Sequence, residues 1–173
     1  MLEPANFEDH PAVVTIVNRA YRGTGDHRGW NSEADLIAGD RVTLDHLRQD
    51  LADNPGAALM VHRGPGGEVR ACVRIEPEDE PEKGNNWYFG MLAIDPAVQA
   101  DGLGRQMMAA IDAHVRERGG RRIRITVINL REALIAWYER RGFVRTGEVQ
   151  PLPEDIGTPL RENMNFVVLT KTL

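Results

Sequence analysis

The most informative stretch of the chain reads Met91-Leu92-Ala93-Ile94-Asp95-Pro96-Ala97-Val98-Gln99-Ala100-Asp101-Gly102-Leu103-Gly104-Arg105. It predicts a buried strand, a short loop and the first turn of a helix. The first N–H groups of a helix have no partner within the helix, and the helix dipole adds partial positive charge there. Glycine at positions 102 and 104 lets a phosphate approach the backbone closely. The stretch therefore predicts a phosphate or diphosphate site at the amides of residues 99–105.

Two common phosphate-binding motifs do not fit this stretch. A Walker loop ends in Gly-Lys-Ser/Thr, and no such ending is present. A dinucleotide-binding fingerprint needs a third glycine where Met107 stands, and no acidic residue follows at the end of the next strand. Two glycines chosen only for tight helix–strand packing remain an alternative explanation of this pattern.

The segments around this stretch predict a strand–helix–strand unit. Trp87 to Ile94 is apolar almost throughout, as expected of a strand buried on both faces. The helix that starts at Gly102 should end at Gly119-Gly120, which suits a left-handed cap. Arg122 to Ile128 alternates between polar and apolar residues. Such a unit joins two parallel strands by a right-handed crossover.

The remaining chain predicts more helices and strands that complete one layered sheet. Helices are expected after Pro11, after the N-cap Thr43 and over Arg131 to Arg141. Strands are expected over Ala57 to His62, Val69 to Glu76, Phe143 to Arg145 and Phe166 to Leu173, with a hairpin loop over Glu76 to Asn86. Arg22 to Asp40 and Pro151 to Asn163 read as irregular. We expect a single domain over residues 1–173 of the mixed α/β (α+β) class.

Composition excludes several classes of function. The net charge of -5 disfavours nucleic-acid binding, although arginines between residues 105 and 124 make one segment basic. No apolar run suggests a signal peptide or a membrane span. The five histidines lack metal-ligand spacing, and the single cysteine, Cys72, has no histidine beside it and is expected to be inert. We therefore expect a cytoplasmic protein without a metal.

Two motifs together resemble the GNAT N-acyltransferase superfamily. Gln99-x-x-Gly102-x-Gly104, after a strand ending Leu-Ala-Ile-Asp-Pro, is similar to the family's acyl-CoA signature. Trp137-Tyr138-Glu139-Arg140-Arg141-Gly142-Phe143 resembles its second signature, at the usual separation. The resemblance implies a mostly antiparallel sheet of six to seven strands, flanked by about four helices. It also implies that the sheet splays at its central parallel strand pair.

The resemblance implies acetyl-CoA as co-substrate and a set of residues that bind it. The diphosphate would lie on the amides of Gln99, Ala100, Asp101, Gly102, Leu103, Gly104 and Arg105. The pantetheine arm would run along Leu92, Ala93 and Ile94. Family members often carry asparagine seven residues before the tyrosine. Arg131 occupies that position here and Asn129 lies two residues earlier, so both are candidates for contact with the cofactor.

The implied activity is that of an N-acetyltransferase, an acyltransferase that transfers groups other than aminoacyl groups. An amine must lose a proton before it attacks a thioester, so the site needs a base; Glu33 is our choice, with Asp35 and Glu76 as alternatives. An amide between Leu92 and Ile94 would hold the oxyanion. Tyr138 would protonate the departing thiolate.

The acceptor is expected to be a primary amine of a small molecule or peptide. Its pocket should come from the two irregular segments, with Trp30 and Tyr88 as candidate walls. A non-catalytic acyl-CoA-binding or sensor module on the same fold is the main alternative, because fold alone does not determine chemistry. A third hypothesis is that the chain is an unrelated α/β protein that binds nucleotides. Whether the chain forms a homodimer is left open.

Overall fold

A seven-stranded sheet forms the centre of the structure, a computed structural model that describes residues 1–23, 32–78 and 85–173. The strands in chain order are β1 (Glu3–Pro4), β3 (Ala58–Arg63), β4 (Val69–Pro77), β5 (Asn86–Ile94), β6 (Arg122–Ile128), β7 (Val144–Gln150) and β9 (Phe166–Thr172). In space their order is β1-β3-β4-β5-β6-β9-β7. Among the described strands of this sheet, only β5 and β6 pair in parallel, and the other neighbours pair antiparallel.

Four α-helices cover the two faces of this sheet among the described residues. They are α1 (His10–Arg22), α2 (Leu44–Asp53), α3 (Leu103–Glu117) and α4 (Glu132–Glu139). Helices α1 and α2 pack in one apolar cluster with one face of the sheet, and α3 and α4 pack in a second cluster with the other face. The expected fold class is therefore confirmed, including the sheet size, the helix number and the central parallel pair.

Local sequence signals place most of the helix ends. Pro11 lies in the first turn of α1, where its missing N–H costs no hydrogen bond. The Thr43 side chain caps α2 by accepting a hydrogen bond from the His46 amide at 3.2 Å. Gly119 has a φ of +78°, the left-handed conformation expected after α3. These predictions are confirmed.

Three short strands were not predicted from the sequence. β1 pairs with β3 at the sheet edge, and β2 (Ile37–Ala38) pairs with β8 (Thr158–Pro159) in a separate ladder. The prediction that Pro151 to Asn163 is wholly irregular is wrong, because it contains β8 and a 3-10 turn at Glu154–Ile156. Two-residue strands have no periodicity to read, so pairing between distant segments decides them.

Both faces of β4 contribute to the apolar core. Ala71, Val73 and Ile75 pack against the α3–α4 side, and Cys72 is fully buried in the cluster of α1 and α2. Burial raises the pKa of the Cys72 thiol to about 12, because a thiolate is poorly solvated there. The thiol therefore stays protonated at neutral pH, as an inert cysteine should.

The stability of the fold should depend on pH through His10. Its side chain is buried, and its Nδ1 atom has no hydrogen-bond partner among the described residues. Burial, with a smaller effect of the Arg48 charge, holds the pKa of His10 below its ordinary value of 6.5. The unfolded chain therefore takes up a proton at His10 at a higher pH than the folded chain does.

We expect the free energy of unfolding to fall as the pH drops from 7 towards 5. The contribution of neutral His10 to the free energy of unfolding is fully present above the pKa of His10 in the unfolded chain, about 6.5. This contribution is lost as the pH falls through the lower pKa of His10 in the folded chain. His10→Gln should flatten this dependence, measured by urea unfolding at several pH values. Burial lowers the pKa of His114 too, so the flattening should be partial. An unchanged slope in His10→Gln would contradict the assignment.

Candidate active site

The central strands β5 and β6 separate soon after they begin. Their parallel ladder covers three residue pairs and ends where Tyr88 lies opposite Arg124. β6 is meanwhile paired along its whole length with β9 on its other side. Beyond Tyr88 a cavity of about 430 Å³ opens, and residues 89–92 of β5 and 125–128 of β6 line it. This slot is the splay that the sequence resemblance implied.

Side chains from both helical layers line the slot. Tyr21, Glu33 and Asp50 reach it from the α1–α2 side, and Leu134 and Tyr138 reach it from α4 on the opposite side. Since the slot is lined from both faces of the sheet, two reactants bound on opposite faces can meet between the strands.

A bulge in β5 shapes the wall of the slot. Cys72 pairs with Ala93 and Arg74 with Gly90, so two residues of β5, Met91 and Leu92, face one residue of β4. Met91 has a φ of +52°, which is uncommon for a side chain of this size. The Cys72 thiol approaches the Met91 carbonyl at 3.8 Å. Because the peptide unit is planar and trans, the Leu92 N–H points away from that thiol.

The start of α3 explains why glycine occupies positions 102 and 104. Gly102 has a φ of +69°, which favours glycine. A Cβ on Gly104 would lie 3.2 Å from Cζ2 of Trp137 on α4, so close packing of α3 against α4 accounts for this residue. Both glycines thus have structural causes, and neither excludes an anion at the first-turn amides.

The residues expected at the diphosphate form the turn that enters α3. A 3-10 turn, Pro96–Asp101, leads from β5 into the helix, and Asp95 caps it by accepting from the Ala97 amide at 3.1 Å. The structure describes the backbone of Gln99, Ala100 and Asp101, and their side chains lie outside the description.

Arginines concentrate positive charge beside the start of α3. One Arg105 guanidinium nitrogen, Nη2, lies 3.1 Å from where a Cβ on Gly102 would be. Arg141 stacks on the Trp137 ring at 3.5 Å from its centroid and donates to the Trp137 carbonyl at 2.7 Å. Burial lowers the pKa of Arg141, and the charges of Arg140 and Arg105 lower it further. Neighbouring like charges create a positive potential suited to a polyanion.

Tyr138 lines the slot, and its hydroxyl group stays protonated. Its side chain is buried and packs against the rings of Phe89, Trp137 and Phe143. Burial raises the pKa of Tyr138 well above its ordinary value, because the phenolate would be poorly solvated. Among the described residues, no hydrogen bond joins its hydroxyl to another group. Its proton is therefore available to a ligand in the slot.

Glu33 is buried between two arginines. One carboxylate oxygen, Oε1, accepts from Arg22 Nε at 3.2 Å, and Oε2 accepts from Arg131 Nη1 at 3.4 Å. Arg22 also donates to the carbonyls of Gly39 at 2.9 Å and Ile156 at 2.6 Å. This ion cluster, Arg22–Glu33–Arg131, connects the end of α1, the β2–β8 segment and the start of α4.

The candidate residues for the base and for cofactor contact differ in whether they line the slot. Of the three carboxylates proposed as base, only Glu33 lines the slot; Asp35 is exposed, and Glu76 pairs with Arg74 at 2.7 Å. Arg131 lines the slot, whereas the Asn129 side chain donates to the Asn163 carbonyl at 3.0 Å and so holds the chain before β9.

Tyr88 and Trp30 are the two aromatic residues that were expected to wall the acceptor pocket. Tyr88 lines the slot, and its hydroxyl lies 3.2 Å from Thr126 Oγ1 across the diverging strands. Trp30 lies outside the described residues. Sequence reasoning missed Tyr21 and Arg22, whose only signal was their place at the end of a predicted helix.

Two further observations concern metal ions and membranes. Among the described residues, no three His, Cys, Asp or Glu side chains come together as a metal would need. No helix in residues 1–23, 32–78 or 85–173 has the length and apolar character to span a membrane.

Comparisons with known proteins agree with this geometry. A family model described as the acetyltransferase (GNAT) family matches residues 26–143. A mycothiol acetyltransferase of Salinispora arenicola is 30% identical over 148 residues, which is 78% of this chain and 46% of that protein. The chain thus spans about half the length of the curated relatives it matches.

Solved structures of low sequence identity share the fold. A putative phosphinothricin N-acetyltransferase superimposes with a TM-score of 0.73 at 19% identity, covering 100% of this chain and 98% of the other. The putative acetyltransferase yncA from Salmonella typhimurium, solved with its cofactor acetyl-CoA, has a TM-score of 0.68 at 18% identity, with coverages of 100% and 93%.

Replacing Glu33 by alanine should destabilise the protein strongly. Removing one partner of a buried ion cluster leaves uncompensated charge, so we expect the free energy of unfolding to fall by about 3 kcal/mol. Urea unfolding measures the change. Glu132→Ala is the control, because this exposed carboxylate pairs with Arg145 at the surface and should matter little. Equal effects of the two substitutions would contradict the importance of the cluster.

Proposed function

The chain belongs to the GNAT acetyltransferase family, and on that premise we propose that it transfers an acetyl group from acetyl-CoA to a primary amine. The observation that carries this proposal is the slot between β5 and β6. A protonated tyrosine lines it from one face of the sheet, and polar groups line it from the other. Such a passage allows two substrates bound on opposite faces of the sheet to react directly.

The residues at the start of α3 fit the phosphate groups of coenzyme A. The first-turn amides and the Gly102 turn offer donors, and Arg105, Arg140 and Arg141 add positive charge beside them. The residues proposed for the diphosphate are therefore Gln99 through Arg105. From there β5 leads directly into the slot, so Leu92, Ala93 and Ile94 are proposed to contact the pantetheine arm. Arg131, on the slot wall, is preferred to Asn129 as a further contact.

The proposed chemistry proceeds by direct attack. The amine nitrogen forms a bond to the thioester carbonyl carbon, and the Leu92 N–H stabilises the negative oxygen of the tetrahedral intermediate. The C–S bond then breaks, and Tyr138 gives its proton to the departing sulfur. Because burial keeps Tyr138 protonated, it can act as this acid at neutral pH. No covalent enzyme intermediate is needed.

The base is proposed to be Glu33, acting through water. It is the one carboxylate among the three sequence candidates that lines the slot. Both of its oxygens are held by guanidinium groups, so its position is rigid while its direct access to an amine is limited. A water molecule between amine and carboxylate is a common route for such a proton.

The acceptor is proposed to be a small polar amine. The curated relatives are named mycothiol acetyltransferase, and this name supports a small-molecule acceptor. The α1–α2 side of the slot presents both Arg41 and Arg74 and the carboxylates of Asp50 and Asp155. Side chains of both charge signs suit an acceptor that carries more than one polar group.

The direct test is release of free thiol from acetyl-CoA with a panel of small amines. We expect at least one amine to support turnover, and Tyr138→Phe to lower kcat by roughly 10²-fold, since this is the usual scale of general acid catalysis. Calorimetry with coenzyme A serves as the control and should show nearly unchanged affinity in the variant. Tight binding without turnover on any amine would favour a sensor module and contradict the proposal.

Substituting Arg105 should test the phosphate site separately. Arg105→Ala removes a cation beside the first turn of α3, and we expect the Kd for coenzyme A to rise roughly tenfold. Arg116→Ala is the matched control, because this exposed arginine lies in the last turn of the same helix. Calorimetry measures both. If the two variants bind coenzyme A equally well, the phosphates do not lie at the start of α3.

A further inference from the structure

The end of α1 holds the bulged segment of β5 through one hydroxyl group. Tyr21 Oη donates a hydrogen bond to the Leu92 carbonyl at 3.0 Å. Leu92 directly follows Met91, whose positive φ marks the bulge, and neither residue has a partner in the β4 register. The hydroxyl therefore binds a carbonyl in a part of the strand that has left the regular ladder.

Backbone geometry connects this carbonyl to the Leu92 amide. In an extended residue the N–H and C=O groups point to the same side of the strand. The Met91 carbonyl approaches the Cys72 thiol, so the Leu92 N–H points the other way, towards the slot side where Tyr21 lies. Holding the Leu92 carbonyl thus also fixes the direction of the Leu92 N–H.

We infer that Tyr21 is a positioning residue, whose hydrogen bond to the Leu92 carbonyl aims the Leu92 N–H at the thioester oxygen. The inference rests on the proposed acetyl transfer. An oxyanion donor is effective only when it is held in place before the reaction, because reorientation during the reaction costs free energy. Tyr21 acts through Leu92 and forms no bond to the reacting atoms in this role.

The surroundings of Tyr21 keep its hydroxyl in place. Its own carbonyl accepts from the Glu33 amide at 2.7 Å, and the Arg41 guanidinium lies 5.7 Å from its ring centroid. Burial raises the pKa of Tyr21 to about 12, so the hydroxyl remains a donor at any physiological pH. Tyr21 therefore connects Glu33 of the ion cluster, through its backbone carbonyl, with the Leu92 carbonyl, through its hydroxyl.

The test uses acetyl-CoA labelled with ¹³C at the carbonyl carbon as a probe. Hydrogen bonding polarises a carbonyl and moves its ¹³C resonance, so this measurement reports directly on the donor and needs no acceptor amine. In wild-type protein we expect a displaced resonance on binding. In Tyr21→Phe we expect at least half of this displacement to be lost, with the Kd for acetyl-CoA within threefold of wild type. Phenylalanine keeps the ring, and a thermal melt checks folding.

Thr15→Val is the matched control. It removes an exposed hydroxyl from the same helix, where Thr15 Oγ1 donates to the Pro11 carbonyl at 2.9 Å. We expect its ¹³C resonance to match wild type. Hydrogen exchange of the Leu92 amide in the protein without ligand is a second readout, and we expect it to be faster in Tyr21→Phe only.

The outcomes separate this inference from the proposed function. An unchanged ¹³C resonance in Tyr21→Phe, or equal losses in both variants, would overturn the role of Tyr21 alone. Tighter binding of acetyl-CoA to Tyr21→Phe would also overturn it, because the hydroxyl would then only occupy a carbonyl that the ligand needs. No bound resonance with wild-type protein would overturn acetyl-CoA binding, and the inference with it.

Discussion

The early separation of β5 from β6 is the constraint on which the rest of the site depends. Two parallel strands normally continue their ladder, because unpaired backbone groups inside a protein are costly. Here β6 pairs with β9 along its whole length, whereas β5 pairs with β6 only as far as Tyr88 and carries a bulge at Met91 and Leu92. The backbone groups between the strands are therefore left for other partners. One of them, the Leu92 carbonyl, is bound by Tyr21, and the slot can offer the rest to a substrate.

The opening of the sheet also explains how the two helical layers share one site. In an ordinary layered domain the sheet separates its two faces completely. In this chain α4 supplies Tyr138 from one face, and the end of α1 supplies Tyr21 from the other. A 3-10 turn, Pro96–Asp101, joins the end of β5 to the start of α3, where Arg105 adds positive charge. In the proposed function, the acetyl-CoA and the amine therefore approach the slot from opposite faces of the sheet.

The ion cluster Arg22–Glu33–Arg131 connects the segments on the α1–α2 side of the slot. Buried ion pairs contribute little net stability compared with apolar packing, but they require specific geometry. Arg22 satisfies several carbonyls in addition to Glu33, and these belong to the β2 and β8 segments that are far apart in the sequence. The β2 and β8 segments, which are proposed to line the acceptor pocket, are therefore anchored by hydrogen bonds to one guanidinium.

The sequence by itself determined the elements whose signals are local. Periodicity, the Thr43 cap, the Gly102 turn and the crossover between β5 and β6 were all predictable, because neighbouring residues decide them. The two motifs around Gly102 and Tyr138 indicated the family for the same reason. Tertiary structure alone decided which side chains meet in the slot. Glu33 meets Arg131 across 98 residues of chain, and Tyr21 meets Leu92 across 71, and no local pattern encodes contacts of that range.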